Sequence, residues 1–137
     1  MLIKQFVKFA IVGVINTGLD FVFFNFLILI TRIYKGEWLV FLNFISFSLV
    51  TINSYFLNKF WSFRGNNKEK IKIQFLRFFF ISLVGCIINT SIVYFVATFI
   101  PPFFGISQLL WVNVAKLLAI SISLFWNFAG YKFLIFR

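Results

Sequence analysis

Four long apolar stretches dominate the chain, approximately Phe9 to Ile30, Trp38 to Leu57, Phe78 to Ile100 and Leu109 to Tyr131. Each approaches the ~20 residues with which an α-helix crosses the ~30 Å hydrocarbon core of a bilayer. The breaks between them are polar: Arg32, Lys35, Gly36 and Glu37 in the first, Lys59 to Arg77 in the second, and Pro101-Pro102 running to about Gln108 in the third. Proline removes a ladder donor and charge prefers water, so helices end at such places. The pattern predicts an all-α transmembrane four-helix bundle, with Gly65-Asn66-Asn67-Lys68-Glu69-Lys70 as a solvated loop. The first run lacks the small-residue cleavage pattern of a signal peptide and is read as a helix that stays.

Within the apolar runs, polar residues recur at helical spacing. The first helix carries Gly13, Asn16 and Asp20; the second Asn43, Ser46, Asn53, Ser54 and Asn58; the third Ser82, Gly85 and Asn89; the fourth Lys116, Ser123 and Asn127. Separations of three, four and seven put each set on one helix face. A charged side chain at mid-membrane costs about 2.5 to 3.5 kcal/mol on insertion scales, so each asks for a reason. At ~1.5 Å per residue, Asp20 lies roughly 16 Å from one end of its helix and Lys116 about 10 Å from the opposite end of its own. The two fall at similar depth, so they are expected to face each other or share a polar network. Such a network either neutralises charge to let the helices pack or contacts a phosphate or sugar in transit. Asn43 and Asn53 read most simply as interhelical glue, and Gly13 and Gly85 as points of close helix packing.

The composition agrees with lipid as the solvent. Hydrophobic residues make up 62% of the 137 and charged residues only 12%, with a mean hydropathy of +1.01. A soluble domain carries about a quarter charged residues. A net charge of +10 is also found in nucleic-acid binders, but here the basic residues cluster at the ends of apolar runs and form no continuous stripe, the pattern of a protein held between anionic headgroups. The single cysteine, Cys86, excludes an intrachain disulfide, and the absence of histidine excludes Cys/His metal sites and Ser-His-Asp chemistry. No cofactor is expected.

Charge also orients the chain. Lys4 and Lys8, then Lys59, Arg64, Lys68, Lys70, Lys72 and Arg77, then Lys132 and Arg137 flank one side, ten against only Arg32 and Lys35 on the other. The positive-inside rule puts the ten, and both termini, in the cytoplasm. Trp61, Phe63 and Arg64, like Phe136 and Arg137, read either as an interfacial belt with snorkelling cations or as contacts to a lipid phosphate.

The chain also matches itself. Gln5-Phe6-Val7-Lys8-Phe9 resembles Gln74-Phe75-Leu76-Arg77-Phe78, an offset that sets Gly13 against Ser82 and Asp20 against Asn89. Lys59-Phe60-Trp61-Ser62-Phe63-Arg64 resembles Lys132-Phe133-Leu134-Ile135-Phe136-Arg137, which sets Asn43 against Lys116, Ser54 against Asn127 and Asn58 against Tyr131. The reading is a single domain over 1–137 made of two parallel repeats of a helical hairpin, about 5–64 and 74–137. Such repeats are related by an axis along the membrane normal, with a groove between the halves.

Order, spacing and duplication together resemble the GtrA-like family of small four-helix membrane proteins. The residues concerned are Phe6-Val7-Lys8-Phe9, Val12 to Thr17 and Asp20; Ser54 to Arg64; Phe75-Leu76-Arg77-Phe78, Gly85 and Asn89; and Lys116-Leu117-Leu118-Ala119, Asn127-Phe128 and Lys132 to Arg137. The resemblance implies a bacterial cytoplasmic membrane protein of cell-envelope polysaccharide or teichoic acid glycosylation, a flippase that takes a polyprenyl-phosphate sugar to the outer leaflet for a membrane glycosyltransferase. Asn16, Asp20, Ser54, Asn58, Asn89, Lys116 and Asn127 are the expected substrate groove; Lys8, Lys59, Arg64 and Arg77 are the expected lipid-phosphate contacts. A self-sufficient enzyme is not expected, since amides can replace water around sugar hydroxyls without any bond being made or broken.

Two other readings stand beside it. A non-transporting anchor or scaffold subunit for a polyprenyl-phosphate glycosyltransferase would share the resemblance. A small multidrug-type transporter also has four helices and a mid-membrane acid, but Lys116 would repel drug cations and the flank bias is stronger than such proteins carry. Four short helices enclose little volume, which favours a homo-oligomer or a complex with a transferase.

Overall fold

The computed structural model describes residues 2–62 and 68–134. Four helices run in alternating directions: α1 over Leu2–Thr31, α2 over Glu37–Leu57, α3 over Lys68–Phe99 and α4 over Gln108–Leu134. Each contains a stretch long and apolar enough to cross a bilayer, Val7–Thr31, Glu37–Leu57, Phe75–Phe99 and Gln108–Asn127. The protein is a multi-pass membrane protein. Both ends of the described chain, the end of α2 and the start of α3 lie at one end of the bundle, called here the terminal end; the α1–α2 and α3–α4 connections lie at the other.

The helices outrun the apolar stretches that predict them. α3 starts at Lys68, within the segment expected to be a solvated loop, because no glycine or proline interrupts residues 68–77 and a helix stays whole after leaving the hydrocarbon. Continuing α2, Asn58–Ser62 form a wider π-type winding.

At the other end the helices stop for local reasons. The Arg32 amide bonds back to Ile28 O at 2.7 Å while Arg32 takes the left-handed conformation, φ 58°, one way of closing a helix C-terminus. Pro101 and Pro102 withhold two donors beyond α3. The Trp111 indole N–H packs onto the same helix end, donating to Ile100 O at 2.9 Å and Val96 O at 3.3 Å. The Gly36 amide donates to Thr98 Oγ1 at 3.0 Å, tying the first connection to α3.

The bundle is inside-out relative to a soluble one. Large apolar side chains such as Val22, Phe26, Phe80 and Phe125 face outward, while Asn43, Asn89 and Lys116 are wholly enclosed. With hydrocarbon outside, polar groups must find partners within the bundle.

Packing differs sharply between the two ends. Phe24, Ile28, Leu39, Val93, Val112 and Ala115 belong to one continuous core at the connection end. Toward the terminal end the described residues form a smaller core cluster, Phe78 and Ile81 with Phe9 against them. The α3–α4 pairing is the most extensive, followed by α1–α2 and α2–α3, whereas α1 and α4 touch little. The polar contacts that do join α1 to α4, Asp20–Lys116 and Asn25–Asn113, lie at mid-depth and beyond. The bundle is therefore tight at its connection end and splayed at its terminal end, with the weakest seam between α1 and α4.

Candidate functional site

At mid-membrane the four helices are cross-linked by a buried polar network. Lys116 Nζ on α4 stands 2.7 Å from Asp20 Oδ2 on α1 and donates to Asn43 Oδ1 on α2 at 2.6 Å, with Asn89 Oδ1 on α3 at 3.5 Å. The Asn43 amide NH₂ donates to Asn89 Oδ1 at 3.1 Å and Thr90 Oγ1 at 3.0 Å. Ser46 Oγ donates to Asp20 Oδ1 at 2.6 Å and to the Asp20 carbonyl at 3.0 Å. The Phe24 ring lies 4.8 Å from the ammonium, a cation–π contact. A buried ion pair offsets its desolvation only when remaining polar valences are filled, and Asn43 and Ser46 fill them.

Between this network and the terminal end lies a cavity of about 480 Å³, within the ~300–1,000 Å³ range of small-molecule sites. Asp20 and Asn89 form its deep end; Phe9, Asn58, Phe78 and Asn127 surround its shallow end. Along α1 that distance is about 16 Å at the helical rise. Asn16, Thr17, Thr51, Ser54, Ser82 and Ser123 give it a hydroxyl and amide lining on an otherwise apolar wall. Val14 of α1 and Leu124 of α4 line it while remaining exposed, so its mouth faces sideways at the weak α1–α4 seam.

Six of the expected groove residues, Asn16, Asp20, Ser54, Asn58, Asn89 and Asn127, lie on this one cavity. Lys116 is placed differently: it is fully buried behind Asp20 and Asn89 and does not form the wall. Several wall groups are held by neighbours. Asn53 Nδ2 donates to Asn16 Oδ1 at 3.0 Å, and Asn58 Nδ2 to Ser54 Oγ at 3.2 Å. Others are not: among the described residues, Asn89 Nδ2 and Asn127 Oδ1 are buried without a hydrogen-bond partner.

The two glycines read as packing points divide. A Cβ at Gly85 would come 2.7 Å from Asn127 Oδ1, so Gly85 lets that side chain lie over α3. Gly13 lines the cavity, where an added Cβ would meet nothing within 4 Å, so contrary to expectation it is not a point of close helix packing.

Of the expected phosphate contacts, Lys8 Nζ donates to Trp61 O at 3.4 Å and stands 5.8 Å from the Trp61 ring. Arg77 Nη1 donates to Leu134 O at 2.7 Å, near the end of α4. Both serve backbone carbonyls at the terminal end. Arg64 and the side chain of Lys59 lie outside the described residues.

Sequence reasoning missed Asn25 and Asn113, which exchange two hydrogen bonds at 2.7 Å each across α1 and α4. Asn113 is one turn from Lys116 and could have been found by that spacing; Asn25 interrupts an apolar run with no partner visible in sequence. Asn43, read as glue, stands at the centre of the network.

The sequence profile described as "GtrA/DPMS, transmembrane domain" matches residues 8–136, nearly the whole chain. The chain belongs to this family. No curated protein and no solved structure matches it. Membership of the GtrA/DPMS family makes it a membrane protein of a group associated with polyprenyl-phosphate sugars.

Proposed function

We propose that the protein moves a polyprenyl-phosphate-linked sugar from the cytoplasmic to the outer leaflet of the bacterial cytoplasmic membrane, with both termini in the cytoplasm, and that it does so without catalysing a bond change. The observation that carries this reading is the cavity: amide- and hydroxyl-lined, open sideways at the α1–α4 seam, and closed beyond Asp20 by a packed apolar core. A polyprenyl tail can stay in lipid outside that seam while its headgroup enters, so the polar groups avoid the desolvation that bars unaided crossing. The ten basic residues that flank the apolar runs on this side in the sequence support its cytoplasmic placement. The geometry then corresponds to a cytoplasm-facing state, and delivery requires the connection end to part. A membrane glycosyltransferase would receive the lipid outside.

The same reading treats residues 1–137 as one domain of two parallel hairpins. Four contacts support the duplication. Phe9 and Phe78, equivalent positions, meet edge to face at 6.4 Å. Asn43 and Lys116, also equivalent, share a hydrogen bond. Lys8 and Arg77 each donate to the matching carbonyls of Trp61 and Leu134.

Reconstitution into proteoliposomes with a fluorescent polyprenyl-phosphate hexose tests the proposal. Leaflet exchange is expected well above protein-free vesicles and is expected to be lost in Asn89→Leu. Exchange at the protein-free rate, in a preparation that still associates with a transferase, would establish anchoring instead.

A further inference from the structure

Among the described residues, two buried polar atoms of residues on the cavity wall have no hydrogen-bond partner. Asn89 is wholly buried; its Oδ1 accepts from Asn43 and faces Lys116, but its Nδ2 has no partner among the described residues. Asn127 Oδ1 is likewise buried and unpartnered, lying over Gly85. Leaving a buried donor or acceptor unmet costs about 1–3 kcal/mol, so such groups in a cavity wall point to a ligand. Gly85 and Asn89 are one turn apart on the same face of α3, which separates the orphan acceptor from the orphan donor by about 6 Å along the helix.

The pair consists of one donor and one acceptor, the complement of hydroxyl groups, each of which does both. An anionic group would satisfy Asn89 Nδ2 but would meet the Asn127 oxygen with repulsion. It would also approach Asp20, the one acidic residue on the described wall. The countercharge is already committed: Lys116 is sealed behind that wall, paired with Asp20 and bonded to Asn43. No lysine or arginine lies among the described wall residues. The basic side chains sit instead at the terminal end, where Lys8 and Arg77 are found.

Resting on the transport reading above, we infer that Asn89 and Asn127 form a hydroxyl-binding subsite for an uncharged sugar, with the lipid phosphate held nearer the terminal end, so that the protein discriminates against sugars bearing a carboxylate. The cavity sorts headgroups by charge as well as by size.

The test uses three probes in proteoliposomes of the full chain: polyprenyl-phosphate glucose, polyprenyl-phosphate glucuronate and unglycosylated polyprenyl phosphate, each followed by equilibrium binding and by leaflet exchange. Glucose-lipid is expected to bind and exchange at least about tenfold better than either competitor, a ratio that one or two well-placed hydrogen bonds can set. Asn127→Leu is expected to bring the glucose-lipid down toward bare polyprenyl phosphate, and Asn127→Lys to move the preference toward the uronate. Equal handling of hexose and uronate by the wild type would overturn the subsite while leaving transport intact. Selective binding of the hexose without exchange would uphold the subsite and overturn transport. Failure of all three lipids to bind would overturn both.

Discussion

Lys116 donates to Asn43 across 2.6 Å, and these are the residues that the internal repeat sets opposite each other. Their partners are repeat-related too: Asp20, which pairs with Lys116 at 2.7 Å, corresponds to Asn89, which accepts from Asn43 at 3.1 Å. One linkage is ionic and its counterpart is amide to amide. In the proposed two-repeat arrangement the described residues carry a single buried charge pair where full symmetry would bury two, and a second pair would add a further desolvation cost.

Removing one member of this pair leaves the other buried and unneutralised. Asp20→Asn or Lys116→Met alone is expected to destabilise the protein by about 3–5 kcal/mol, and the double variant to recover much of the loss. Unfolding in detergent measures the cycle. Strictly additive losses would refute direct coupling.

Because Asn89 Oδ1 is already 3.5 Å from Lys116 Nζ, the acid should be movable. Asp20→Asn combined with Asn89→Asp is expected to be more stable than Asp20→Asn alone by roughly 2 kcal/mol, since the ammonium regains a carboxylate partner. The same unfolding assay decides it, and no recovery would mean that the 3.5 Å separation cannot close.

The two close-packed glycines should behave differently. A methyl at Gly130 would meet the branched Ile81 side chain at 2.9 Å, so Gly130→Ala is expected to cost about 1–3 kcal/mol as overpacking. At Gly85 the obstacle is the movable end of Asn127. Gly85→Ala should change stability by less than about 1 kcal/mol yet weaken hexose-lipid binding about tenfold by displacing the acceptor. Unfolding and binding measured on both variants separate the two effects.

Orientation is checked with single cysteines in a Cys86→Ser background. Lys72 and Ser107 are both exposed and lie at opposite ends of the bundle. Lys72→Cys is expected to react with impermeant maleimide only from the cytoplasmic side, and Ser107→Cys only from outside. Labelling of both from one side would contradict four spans, and the reversed pattern would invert the proposed direction.

The sequence by itself determined the four helices, because a span of hydrocarbon demands a length of apolar chain and every buried amide must be paired within it. It also determined the stripes that meet inside, since helical spacing puts Asn16 with Asp20 and Ser123 with Asn127 on common faces. Depth counting brought Asp20 and Lys116 to one level. Which helices touch at that level was not encoded in any local pattern, and only the tertiary structure made Asn43 the hub and hid Lys116 behind the wall. Hydropathy likewise started α3 near Phe78, while the helix begins at Lys68, because backbone hydrogen bonding continues where apolar character stops. The splaying of α1 from α4 likewise belongs to the tertiary structure. Gly13 has the same chemistry as Gly85, yet one faces a cavity and the other supports Asn127, a difference set by how whole helices cross.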